Sequence, residues 1–486
     1  MSRISKEDRR LQIEHEAAGD HLFANRLRVY PKTVHGRVRQ VKWAILIVCL
    51  GIYYLLPWLR WNRGPGHPTQ AVLLDISHER FYFFNMELWP QDIWLLAGLL
   101  ILGAVTLFLV TSLFGRLWCG YTCPQTVWTD LFMWVERWVE GDRNERMQRD
   151  AQPLNADTIW KKVLKHTIWM GIAFWTGGAW IMYYVDAPTV TLQFWTLSAS
   201  TQVYFFTGLF TATTYLLAGW AREQVCTYMC PWPRFQSAML DDQSFTVTYQ
   251  AWRGEPRTRG KARSGGDCID CGACVTACPT GIDIRDGIQL ECINCGLCID
   301  ACNHVMNRTK RDPWLITWDT EARQNAKKAG RSEPIRIFRP RTIIYLSVLV
   351  IAMAGMTTAL LTRSTLGLSV QRDRAPVFVP LASGELRNGY TLKIANKTQA
   401  ESSFDLTVDG LPGAELVVAE GDPKPEPVLH LPSNADEVDS FRVLVTGRPV
   451  SLVNGSQPIE FILRDTATGR QTVYRSTFMG PQGYGK

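Results

Sequence analysis

The stretches 268-CIDCGACVTACP-279 and 292-CINCGLCIDACN-303 carry eight cysteines in two copies of one spacing, C-x2-C-x2-C-x3-C. Three thiolates two residues apart wrap one corner of a 4Fe-4S cubane, and in the bacterial two-cluster arrangement the fourth cysteine of each run ligates the other cluster. The spacing therefore assigns Cys268, Cys271, Cys274 and Cys302 to one cluster, and Cys278, Cys292, Cys295 and Cys298 to the other. Two four-thiolate zinc sites would need only C-x2-C knuckles and would leave the third and fourth cysteine of each run unexplained. Between the runs, 281-GIDIRDGIQL-290 reads as strand, Asp-Gly turn and strand, a hairpin that joins both runs in one ferredoxin-like unit at about 260–310. The second run ends Cys302-Asn303 rather than Cys-Pro, which leaves the backbone after that ligand less constrained.

Of 13 cysteines, 12 stand in tight spacings, which reads as metal or redox chemistry in a reducing compartment; only Cys49 sits alone in an apolar run. The remaining four form 119-CGYTCP-124 and 226-CTYMCP-231, a shared C-x-Y-x-C-P form that marks an internal duplication. If each helix continues to its proline, the i, i+4 pair puts both sulfurs on one face, and Cys119, Cys123, Cys226 and Cys230 can offer four thiols to one site. Four soft ligands suit a third iron–sulfur cluster, copper as Cu(I), or zinc. Two separate dithiols, or small packing residues, are the plainer alternative. A C-x-x-C-H haem signature is absent, and His166 alone of eight histidines lies in an expected span, which argues against a bis-His membrane haem. No G-x-G-x-x-G follows a strand, so a bound nicotinamide or flavin is not expected, and electrons must come from an external donor.

Five segments reach the roughly 20 apolar residues that a membrane helix needs: 42–60, 92–114, 163–185, 200–220 and 342–362. The formal charge of +7 comes from residues that flank these runs rather than from one basic patch, so it points to membrane orientation and not to nucleic acid. Residues 1–42 hold Arg26, Arg28, Arg37, Arg39 and Lys42, and Arg137, Arg143, Arg146, Arg149, Lys161 and Lys162 lie between the second and third spans. Both segments are expected inside. The loop 61–91 has only Arg63 and Arg80, and 186–199 has no Lys or Arg, so both are expected outside. Trp89, Trp94, Tyr183 and Tyr184 fall near span ends as interfacial anchors. The span 163–185, with Lys165 near its start and three glycines, is the one that a buried helix could replace. No removable signal peptide is expected ahead of the first span.

The resulting expectation is a multi-domain membrane protein with five transmembrane α-helices, a bacterial two-cluster ferredoxin-like domain and a C-terminal Ig-like β-sandwich. Its parts are a cytoplasmic segment 1–41, a four-helix membrane region 42–220, a cytoplasmic domain 221–341, a fifth span 342–362 and an extracytoplasmic domain 363–486. The last shows period-two alternation at Tyr390, Leu392 and Ile394, at Phe404, Leu406 and Val408, at Phe441, Val443 and Val445, and at Ile459, Phe461 and Leu463. Turns are expected at Asn388-Gly389 and Asp409-Gly410, and the lone His430 reads as a surface residue.

Spans, C-x-Y-x-C-P repeats, doubled cysteine run and outer β-domain together resemble the FixG/RdxA/CcoG family of cytochrome c oxidase accessory proteins. The resemblance covers nearly the whole chain. It implies a multi-pass protein of the bacterial inner membrane, with clusters inside and the β-domain in the periplasm. It further implies reduction of Cu(II) to Cu(I) for assembly of a cbb3-type oxidase, with copper-handling and oxidase-assembly proteins as partners. A quinol-linked polyferredoxin subunit of a respiratory reductase, which would not need the outer β-domain, and a non-redox assembly scaffold are the competing readings.

Overall fold

The computed structural model describes residues 28–64, 67–258, 265–362, 366–398, 401–419, 424–435, 437–449, 452 and 455–481; Arg26 lies outside them. The chain divides into two compact units, Met1–Met356 and Thr357–Lys486.

The first unit begins with α1 (Arg37–Leu55), followed by a three-stranded antiparallel sheet of β1 (Val72–Asp75), β2 (Arg80–Phe83) and β3 (Met86–Leu88). This sheet was not expected in the loop 61–91. It is organised by a buried Arg63, which donates to the carbonyls of Phe84, Pro68, Gln70 and Ala71, so a charge read as a topology marker has a local structural use. Trp89 is buried there under the Arg80 guanidinium, while Trp94 is exposed. Next comes α2 (Ile93–Phe114), a 22-residue helix without a charged residue, roughly 33 Å long. Then follow α3 (Leu117–Tyr121), α4 (Pro124–Glu140), α5 (Arg143–Ala151), α6 (Ala156–Ile181), α7 (Ala187–Trp195) and α8 (Thr201–Thr214).

Among the described residues three helical stretches are long and apolar enough to cross a membrane: Arg37–Trp58, Ile93–Phe114 and Pro340–Leu361. The expected spans 163–185 and 200–220 are helical, but neither reaches that length of uninterrupted apolar α-helix. α6 carries Lys161, Lys162 and Lys165 in its first ten residues, and α8 stops after 14 residues where the backbone widens into a π-helical segment, Tyr215–Ala221. The two helices pack closely on each other. A Cβ at Gly177 would stand 2.8 Å from the Thr207 carbonyl, so only glycine permits this approach.

After a second π-helical turn (Val225–Met229) come α9 (Trp232–Met239), β4 (Thr246–Tyr249), α10 (Ala273–Ala277), α11 (Leu297–Arg308), β5 (Ile316–Asp319), α12 (Glu321–Lys328) and α13 (Pro340–Leu361). β4 and β5 pair antiparallel and bracket the cysteine runs. The expected hairpin over 281–290 is absent: Ile284–Asp286 forms a single 3-10 turn, because the Asp283 side chain caps it by accepting from the Arg285 backbone N–H.

The second unit is a β-sandwich. One sheet has the order β10 (Glu415–Val418), β12 (Glu437–Gly447), β8 (Leu386–Asn396), β6 (Leu366–Arg372), with β7 (Val379–Pro380) also on β8. The other has the order β11 (Leu429–Ser433), β9 (Ser402–Asp409), β13 (Ser456–Asp465), β14 (Gln471–Met479). The period-two residues point inward as read: Tyr390, Leu392, Ile394, Leu406, Val443, Val445, Phe461 and Leu463 are fully buried. Asp409-Gly410 is a turn, with Gly410 at φ 86°. Asn388-Gly389 is not: both lie inside β8, and the buried Asn388 amide bonds the Met479 backbone in both directions. His430 is exposed and bonded to Asp405, as a surface residue.

Candidate metal centre

The two cysteine runs share one backbone design. In the first, Asp270 and Gly272 stand at φ 52° and 66°; in the second, Asn294 and Gly296 stand at φ 58° and 72°. These left-handed positions on either side of Cys271 and Cys295 coil the chain tightly around its thiols before each helix begins, and successive N–H groups in such a coil suit an anionic cluster. α10 follows the first loop and α11 the second, and the two helices pack against each other.

One cavity is lined by Cys268, Cys271, Cys274 and Cys302, together with Tyr249 and Arg285. Cys278 instead lies close to Cys292, Cys295 and Cys298, whose thiols are raised by burial first and by Cys278 in lesser part. The fourth cysteine of each run thus stands with the first three of the other. Burial, with neighbouring thiols adding to it, pushes Cys274, Cys292 and Cys302 up to about 12. Such a cage holds several thiolates only with positive charge at its centre, and loading it with metal releases protons. Among the described residues no three His, Cys, Asp or Glu side chains close around a single-ion position. Two groups of four thiols fit two 4Fe-4S cubanes, whereas zinc knuckles would leave the third and fourth cysteine of each run without a use.

The C-x3-C-P pairs are built differently from expectation, since neither helix runs through to its proline. Cys119 lies in α3, the chain breaks, and Cys123 becomes the extended residue that opens α4. Cys226 lies in the π-helical turn Val225–Met229, and Cys230 is the extended residue that follows. Proline explains the break: it cannot donate to the helix ladder, and it disfavours helical geometry in the residue before it. Backbone N–H groups of Gln125 and Thr126 consequently reach the Cys123 sulfur. The four thiols nevertheless lie near enough to act on one another's charge, although among the described residues no three of them close around a single-ion position. Cys119 is pushed up to about 11 by burial and then by Cys123 and Cys230, and Cys226 to about 12 by burial and then by Cys123, Cys119 and Cys230. Cys119 Sγ also donates to Gln236 Oε1 at 3.1 Å.

This thiol group is docked on the cysteine runs. A Cβ on Gly120 would lie 2.7 Å from the Ile293 carbonyl and 3.0 Å from Cys295 Cα, and Tyr121 Oη donates to the Cys295 carbonyl at 3.1 Å. Arg116 donates to the carbonyls of Leu290, Cys292 and Pro233, and Asn294 ties the end of α2 to β4 by donating to the Phe114 carbonyl while accepting from the Val247 N–H at 2.6 Å. Arg116, Gly120 and Asn294 were not singled out in the sequence. The basic residue just ahead of each C-x3-C-P, Arg116 and Arg222, was the available signal.

Beneath the site lies a buried ion network. Asp130 accepts from Arg39 at 2.7 Å, with Lys42 at 3.5 Å, and Glu136 meets Arg146 at 2.8 Å, Arg222 at 2.9 Å and Lys165 at 3.7 Å. Burial alone would raise the Glu136 carboxyl, but Arg222, Arg146 and Lys165 more than reverse it and hold it down to about 2. Several basic residues expected to mark the inner membrane face are therefore structural partners of these carboxylates.

Three protein families match along the chain: a 4Fe-4S binding domain over residues 96–141, a 4Fe-4S dicluster domain over 221–321, and the Ig-like fold at the C-terminus of FixG over 356–481. The nitrogen fixation protein FixG of Rhizobium meliloti is 44% identical over 96% of this chain and 95% of its own. Protein RdxB of Cereibacter sphaeroides is 42% identical over 94% and 97%, and protein RdxA of the same organism 47% over 81% and 84%. With relatives this similar over most of its length, and with two matched 4Fe-4S regions, the chain belongs to the FixG/RdxA/CcoG family and is an iron–sulfur electron-transfer protein.

Proposed function

We propose that this protein reduces Cu(II) to Cu(I) at Cys119, Cys123, Cys226 and Cys230, in support of the assembly of a cbb3-type cytochrome c oxidase. The observation that carries the reading is the direct packing of Gly120, next to Cys119, on the backbone of Ile293 and Cys295, which leaves no layer of protein between the thiol group and the second cysteine run. Cys268, Cys271, Cys274 and Cys302 hold one 4Fe-4S cluster, and Cys278, Cys292, Cys295 and Cys298 the other. Bound there, each cluster supplies one electron at a time, which matches a one-electron metal reduction. The copper thiols bind Cu(II) as substrate, lose protons on doing so, and favour the Cu(I) product because thiolate is a soft ligand. In this reading α6 and α8, extended by its π-helical segment, complete five spans, with the clusters inside and the β-sandwich in the periplasm of an inner-membrane protein, facing copper-handling and oxidase-assembly partners.

The double variant Cys119→Ser with Cys226→Ser tests the site. It is expected to retain both clusters by paramagnetic resonance and to lose anaerobic Cu(II) reduction. Full reductase activity, with copper still reaching the oxidase, overturns the assignment.

A further inference from the structure

A groove of about 780 Å³ runs along α6, lined by Lys162, His166, Met170, Gly171 and Phe174 and closed on one side by Thr211 of α8. Its volume is that of a small-molecule site, and its walls are apolar except at one end. The lining residues recur every three or four positions, so they form a stripe of roughly 18 Å between Lys162 and Phe174. Gly171 makes room in the middle of it: a Cβ there would meet nothing within 4 Å.

The polar end carries little free charge. Lys162 is bridged to Asp150 at 2.7 Å. The hydroxyls of Thr167 and Thr211 donate to carbonyls of their own helices, at Val163 and Thr207. His166 is different, because its Nδ1 shares a 2.8 Å hydrogen bond with Tyr215 Oη and its Nε2 has no hydrogen-bond partner among the described residues. An anionic phospholipid head would need an unpaired cation here, and the lining supplies none. A neutral ring with hydroxyls, followed by an apolar tail, satisfies both ends.

We propose that this groove binds a membrane quinol, and that His166 accepts one of its hydroxyl protons. The proposal rests on the electron-transfer reading of the chain and names the donor that reading requires. In the tautomer that donates Nδ1–H to Tyr215 Oη, Nε2 is the acceptor for a quinol O–H. Two O–H bonds break and the quinol becomes a quinone. One proton goes to Nε2 and the other to water, and the two electrons leave singly for the 4Fe-4S clusters that the two cysteine runs would hold. An exit lies behind His166: the buried Trp169 ring packs edge-on to His166 at 5.2 Å and against Phe132 of α4 at 5.4 Å, and Trp169 Nε1 donates to the Phe132 carbonyl. α4 starts at Pro124, directly after Cys123, and Gln125 donates from it to the Leu217 and Arg222 carbonyls ahead of Cys226.

The test uses the full-length protein in detergent, with a short-tailed benzoquinone as probe and the variants Gly171→Leu and His166→Gln. Quenching of intrinsic tryptophan fluorescence reports binding, and reoxidation of dithionite-reduced clusters by the quinone reads the exchange in its reverse direction. Gly171→Leu, whose Cβ would meet nothing within 4 Å, puts a side chain into the groove and is expected to weaken binding at least about tenfold. His166→Gln is expected to slow the exchange about a hundredfold and to flatten its pH profile, more than any weakening of binding accounts for. Equal quenching in wild type and Gly171→Leu overturns the proposal, as does a phospholipid that copurifies one-to-one with wild type and is lost from that variant. If dithionite fails to reduce wild-type clusters, the electron-transfer reading falls, and the quenching result still decides the groove.

Discussion

Cys278 is the residue at which sequence order and spatial order part company. It closes the first run in the chain, yet its charge is felt by Cys292, Cys295 and Cys298. Cys278→Ala is therefore expected to damage mainly the cluster of the second run, with loss of about half the iron and of one of two paramagnetic signals after reduction. Selective loss of the cluster of Cys268, Cys271 and Cys274 would reverse the ligand assignment. Glu136 makes a second residue-level case. Its removal leaves Arg146, Arg222 and Lys165 facing one another in a buried site, and Glu136→Gln should cost about 3–5 kcal/mol in denaturant unfolding. Its folded carboxyl sits at about 2 against an ordinary 4.5, so the stabilisation is full above the ordinary value and is lost as pH falls from about 4.5 toward 2. In that window the wild type should lose stability more steeply than Glu136→Gln; parallel acid titrations of the two would show that the carboxylate carries no such linkage.

Among elements, legibility followed whether a local pattern fixed the backbone. Strand alternation in the β-sandwich was readable because burial of one face decides it, and Phe461, packed against Tyr390 at 5.0 Å, shows the result. Phe461→Ala is expected to destabilise that unit by about 3–5 kcal/mol, seen as faster proteolysis within residues 366–481 of the full chain. An unchanged cleavage pattern would mean that the residue is not central to the core. Asn388-Gly389 misled because its side-chain partner at Met479 is 91 residues away and invisible to a turn rule. The paired thiols do not have the i, i+4 alignment that the sequence suggested, since the prolines break the helices that would have aligned them. The β1–β3 sheet was hidden for a related reason: Arg63, not an alternating pattern, organises it.

For the whole molecule, the cluster runs were legible because cysteine spacing is itself the ligand geometry, whereas basic residues serve two ends at once. Arg39, Lys42 and Arg146 flank expected spans and are also buried in ion pairs, so charge counting mixes topology with packing. Reporter fusions after residue 370 separate the two. Activity of an exported reporter and silence of a cytoplasmic one are expected for five crossings, and the opposite pattern would remove the five-span arrangement. One contact ties the extremes of the first unit together. Asp300, between Cys298 and Cys302, accepts the backbone N–H groups of Val38 and Arg39 at 3.4 and 2.8 Å and so caps the start of α1 with an anion. A synthesising ribosome therefore releases the first apolar helix some 260 residues before the group that completes its end. The end of that helix is completed only once α11, which carries Asp300, has been made and has folded against it.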